Sequence, residues 1–202
     1  MRTHPEVIIL LVFSSTMMAL TIVSWTYHQP YIKAYGIDIK LFGLIYLLWL
    51  TTSSIVARCA DVIDTQLGFF AGLAVIPLGM GMHLFLFGSG INTIGFASIF
   101  LGEAVFGFIR PAVFSRVNRF IGSGYRATIL SLEGLCRACS LMVLSQILAC
   151  LGNHCSVTQM ALVLGAMVLV VGGRLLALLR ATSRVNASAS RPLRPLRSFT
   201  RR

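Results

Sequence analysis

Residues 7–27 read VIILLVFSSTMMALTIVSWTY, a run from Val7 to Tyr27 without a single charge. At about 1.5 Å of rise per residue, a helix of that length covers about 30 Å, the thickness of a bilayer's hydrocarbon core. The alternative, a strand of an outer-membrane barrel, needs about 10 residues alternating apolar and polar. Val7 to Val12 and Met167 to Val171 are instead apolar on every side. The stretch also exceeds the roughly 7–15 residues of a secretory signal core and has no small-residue cleavage pattern after it, so it is read as a retained span. The whole chain agrees: of 202 residues, 56% are apolar and 11% charged, with a mean hydropathy of +0.84. A soluble domain carries roughly 25% charge, so too few polar residues exist here to cover a globule. Five cysteines, an odd number set mostly in apolar runs, also argue against a secreted disulfide scaffold.

Working outward, five further runs of membrane length follow, at about 41–57, 67–87, 91–109, 127–151 and 157–179. The predicted boundaries are His28-Gln29-Pro30, Arg58, and Arg110-Pro111, because proline lacks a backbone donor and restricts the residue before it. The fifth and sixth runs are separated by Gly-Asn-His-Cys-Ser, which allows only an antiparallel hairpin. The expected fold is therefore an all-α membrane protein: a six-span domain over residues 1–180 and a basic, disordered tail over 181–202, whose Arg-Ser-Ala composition cannot build a core.

Six spans put both termini on one side. Fourteen of the 17 basic residues fall on that side, including Arg110, Arg116, Arg119 and Arg126 in the loop expected after the fourth span; only Lys33 and Lys40 face the other. Such a bias marks the cytoplasmic side. The formal charge of +11 thus reports topology, and attraction of the tail to anionic lipid explains it better than nucleic acid, since Phe199 is the only aromatic among the arginines.

No catalytic constellation emerges, and neither an enzyme activity, a cofactor nor a metal site is expected: His4, His28, His83 and His154 are scattered, and none pairs with a Cys or carboxylate at ligand spacing. Cys136 and Cys139 lie inside a span, where small polarizable residues at a helix contact are the simplest reading. The spacing of Cys150 and Cys155 neither supports nor excludes a bond. The informative groups are ionisable residues within spans, Glu103, Glu133 and Arg137, each costly unless paired or facing water. Arg137 lies about 15 Å and Glu133 about 9 Å beyond Ala127, while Glu103 lies about 18 Å beyond Ile91, which places the two carboxylates level and predicts one polar locus between the fourth and fifth spans. Glu133 and Arg137, four apart, share a helix face. A proton relay or a cargo counter-charge is one reading of this locus, and an ion pair locking two helices is the other. Gly68 with Gly72, and Ala161 with Gly165, have the small-x-x-x-small spacing that lets helices approach closely, and Pro77, Gly79 and Gly81 are candidates for a bend.

Several stretches in order resemble one family: His28-Gln29-Pro30-Tyr31 with Gly36-Ile37, Phe42-Gly43-Leu44-Ile45-Tyr46, Arg110-Pro111, and Asn118 with Arg126-Ala127-Thr128-Ile129-Leu130-Ser131-Leu132. Together they resemble the C-terminal six-helix half of a major facilitator superfamily transporter of the bacterial drug-efflux type. The run Ala57-Arg58-Cys59-Ala60-Asp61 retains only a basic and an acidic residue of the family's signature loop. The resemblance implies two three-helix repeats in a bacterial inner membrane, moving a small solute by alternating access, with proton coupling as an option. It also implies solute-pathway roles for Gln29, Tyr31, Asn92 and Glu103, and, because the family has twelve spans, a second six-helix half or a homodimer mate. The competing expectation is a truncated membrane remnant that folds but moves nothing.

Overall fold

The computed structural model describes residues 5–121, 123–152 and 155–189. Six long helices fill it: α1 (Pro5–Ala34), α2 (Phe42–Leu67), α3 (Phe69–Gly88), α4 (Thr93–Phe120), α5 (Arg126–Gly152) and α6 (Val157–Ala189). There is no strand among the described residues. All six are long and apolar enough to span a membrane, where a helix is the structure that satisfies its own backbone polar groups within one segment.

The helices end where local hydrogen bonding ends them, and none of the three expected stops acts. α1 runs through Pro30 to Ala34 and is capped by Gly36, whose φ of 95° suits a residue without a side chain. There the Ile37 N–H reaches the Ile32 carbonyl and the Gly36 N–H the Lys33 carbonyl, the paired bonds of a Schellman cap. α4 likewise continues through Arg110-Pro111 for nine more residues. The carbonyl that the Pro111 ring crowds is that of Gly107, four residues back, where no side chain adds to the crowding. Consequently the expected loop of Arg110, Arg116 and Arg119 is helix, and only Arg126, first in α5, lies at a helix start. α2 runs ten residues past Ala57, and α6 passes Leu179 to Ala189, so the first nine residues expected to be disordered tail are helical. Extending a helix already nucleated by packing requires no new nucleus. The rest of that tail, residues 190–202, with His4 and His154, lies outside the described residues.

Two starts are well capped. Asn92 Oδ1 accepts the Gly95 N–H at 2.8 Å to open α4. Ser156 and Gln159 exchange side-chain to backbone bonds at 2.9 and 3.3 Å, a capping box opening α6.

Packing relates the first three helices to the last three. α2 lies on α4 as α5 lies on α1; α3 lies on α4 as α6 lies on α1; α1 meets α4 and α3 meets α6. Exchanging α1–α3 for α4–α6 leaves this scheme of six contacts unchanged. The arrangement buries α1, with 72% of its most apolar window covered, and leaves α2 and α5 as the outermost elements, with 11% each. The α3–α6 contact is the most extensive. A Cβ on Gly81 would lie 2.7 Å from Leu169, one on Gly172 2.5 Å from Pro77, and one on Gly165 3.2 Å from Leu84, and Ala161 is fully buried beside Phe87 in the same core cluster.

Candidate functional site

The polar groups inside this bundle form a ladder along α1, whose rungs differ in how fully they are satisfied. At one end Tyr31, fully buried, donates its hydroxyl toward the Gly90 and Asn92 carbonyls at 2.8 and 3.1 Å, accepts the Asn92 N–H at 3.1 Å, and stacks on Phe87 at 4.2 Å. Gly95 is where a side chain would collide with that hydroxyl. Tyr31 and Asn92 thus clasp the α3–α4 turn. Gln29 is exposed, lining a shallow pocket of about 700 Å3 with Lys33 and Phe42.

The next rung was not foreseen from sequence. His28 on α1, expected in a loop, and His83 on α3 are both buried with ring centroids 5.6 Å apart. Trp49 of α2 and Phe87 of α3 lie 5.5 and 5.4 Å from the His28 ring. His83 Nδ1 meets Ser98 Oγ at 3.2 Å, and its ring occupies the space that a Cβ on Gly102 would fill. Both ring nitrogens of His28, Nε2 of His83 and Nε1 of Trp49 have no protein partner.

About one turn further in, Glu103 is buried near Trp25, which packs edge-on against Phe106 at 4.7 Å. Glu103 Oε2 has no partner.

Glu133 forms a separate rung. Its backbone carbonyl accepts from Ser15 Oγ at 3.1 Å, and its fully buried carboxylate lies 3.7 Å from Arg137 and 3.8 Å from Arg110. Ser15 and Trp25 are ten residues apart on α1, so Glu133 and Glu103 stand about 15 Å apart along the bundle. The single level locus expected from counting residues is therefore corrected to two sites, because α5 packs chiefly on α1 rather than beside α4. Arg110, assigned to a loop by its charge, completes the second site.

At the far end Arg116, also expected in that loop, is buried. It pairs with Asp64 of α2, donates to the Ala112 carbonyl, donates to the Phe69 carbonyl at 2.9 Å and lies over the Phe69 ring at 5.1 Å. Gly72 is the space for this pair, since a Cβ there would sit 2.5 Å from Asp64 Oδ1 and 2.7 Å from an Arg116 nitrogen. Gly68 is the positive-φ cap (79°) between α2 and α3, with open space where its Cβ would lie. The Gly68–Gly72 spacing thus serves a cap and an ion pair, not a close helix approach.

The two end rungs are nearly satisfied and read as locks. The middle rungs hold most of the unpartnered atoms, with Arg116 Nε another at one end. Each such atom costs about 1–3 kcal/mol when buried without a partner, so the middle rungs are the positions where a proton, water or solute has something to gain by binding. Among the described residues no group of three His, Cys, Asp or Glu could hold a metal ion. All five cysteines, Cys150 and Cys155 included, are free thiols. No family model matches the chain, and neither a curated protein nor a solved structure matches it.

Proposed function

We propose that this chain is one six-helix half of a secondary active transporter, resident in a bacterial inner membrane with both termini in the cytoplasm, that moves a small solute by alternating access. The observation that carries the reading is the set of buried ionisable groups, His28, His83, Glu103 and Glu133, each keeping at least one side-chain atom without a hydrogen bond, through the middle of an apolar six-helix bundle. Intramembrane ionisable groups are costly and mark ion or substrate paths. The exchange symmetry of the helix packing and the resemblance to the major facilitator superfamily support it, as does the arginine bias for orientation. The reading assigns to α2 and α5, the two least covered helices, the contact with a second six-helix unit. That unit is either a separate half or a second copy of this chain, and lipid covers whatever remains. A chain that folds but transports nothing is the competing reading, favoured by one observation: His28, His83, Glu103 and Glu133 are all buried within the six helices.

The test is reconstitution of the purified chain in lipid vesicles, alone and with a candidate six-span partner, followed by proton and solute flux over a panel of cargoes. Saturable flux in either format supports the proposal; flux only with the partner identifies a half-unit. Absence of flux in both formats, with the bundle shown to be folded, overturns it.

A further inference from the structure

The geometry points to a binding site for a small organic monoanion between α4 and α5, formed by Arg110 and Arg137 and counter-charged by Glu133. This inference deepens the transport reading and rests on it for its biological role. Three observations carry it. The arginines approach opposite oxygens of the Glu133 carboxylate, at 3.8 and 3.7 Å, and neither makes a hydrogen bond to it. Their guanidinium forks therefore keep donors free, in a residue type whose planar geometry matches carboxylate and phosphate oxygens two at a time. Accessibility is graded: the Arg110 side chain is 50% exposed, Arg137 28% and Glu133 0%. The cations reach the open side while the carboxylate stays at the back, held there by the Ser15 bond to its own backbone. Finally, the two arginines and one glutamate of this cluster sum to one uncancelled positive charge beside a fully buried carboxylate, a state costly to maintain without a counter-ion. A monoanion neutralises it. Phe114, over whose ring Arg110 lies at 5.8 Å, offers an apolar surface beside the charge.

The same chemistry is available from a dissolved carboxylate and from the phosphodiester of an anionic lipid. The experiment separates them with the full chain in nanodiscs of purely zwitterionic lipid, with and without a tenth of anionic lipid, using radiolabelled benzoate as the probe and choline as the cationic control. Benzoate is expected to bind saturably and choline not at all. Arg110→Gln and Arg137→Gln should each weaken benzoate binding at least tenfold, Arg137→Lys should retain part of it, and Glu133→Gln, which removes the competing carboxylate, should tighten it several-fold. If anionic lipid suppresses benzoate binding in wild type but not in the Gln variants, the occupant is the lipid phosphate and the anion site stands. Absence of benzoate binding in both lipid mixtures, or binding indifferent to both arginines in variants that remain monodisperse, overturns the site. Glu133→Gln that leaves affinity unchanged or weaker overturns the counter-charge role. The two proposals fail separately: flux of other solutes unaffected by Arg137→Gln would leave transport standing without this site, and benzoate binding without flux in any format would leave the site standing without transport.

Discussion

Replacing Asp64 with alanine should be among the most damaging single changes in this chain. Arg116 is 1% exposed, and among the described residues Asp64 is the acidic group paired with it. Removing one partner of a buried pair leaves an uncompensated charge, at a cost of about 3–5 kcal/mol. The carbonyls of Ala112 and Phe69 would still accept from the guanidinium, which places the expected loss at the lower end, about 3 kcal/mol, or roughly a hundredfold in the unfolding equilibrium. The assay is reversible unfolding in mixed micelles by titration with a denaturing detergent, followed by tryptophan fluorescence. Because an apolar replacement of both partners is often neutral or stabilising, Asp64→Ala combined with Arg116→Met should return to within about 1 kcal/mol of wild type. A loss below about 1 kcal/mol for Asp64→Ala alone, the value of an exposed pair, would refute the reasoning that this pair is a buried lock.

Further outcomes follow from the packing. Gly107→Ala should destabilise by about 3 kcal/mol or more, since its Cβ would collide with the Ser53 backbone carbonyl of α2, and backbone yields less than a side chain; Gly134→Ala, facing open space in α5, should instead gain up to about 1 kcal/mol in the same unfolding assay. Gly36→Ala should cost about 1 kcal/mol through its positive φ. Tyr31→Phe should lose about 1–3 kcal/mol by stripping the Gly90 and Asn92 groups of their partner, and should leave the KM for any transported solute unchanged; a raised KM would place Tyr31 on the pathway.

Much of the fold is legible in the apolar runs, because span length is set by bilayer thickness and each run reports it locally. The helix ends are less so. Pro30 and Pro111 carry the local signal of a stop, yet tertiary packing carries α1 and α4 through both, and the true end of α1 is written in Gly36. Charge was the misleading cue at Arg116: its partner Asp64 is 52 positions away, and nothing near either residue announces the pairing except, in retrospect, the small residue at Gly72. The Glu133–Arg137 pair was visible because four residues make one helix face. Arg110 joins it only through the fold, as do His28 and His83, which come from two helices and meet without any motif linking them. Counting residues from span ends placed Glu103 level with Glu133; the packing of α5 on α1 separates them.

The account's central claim is that the buried ionisable groups in the middle of the bundle serve transport rather than stability alone. Glu103→Gln tests it most directly, since the amide nearly preserves shape and removes the charge. Measured as proton-coupled solute flux in reconstituted vesicles, in whichever format supports transport, the substitution should reduce flux at least tenfold while leaving the unfolding equilibrium within about 1 kcal/mol of wild type. Flux equal to that of the unaltered chain would contradict it.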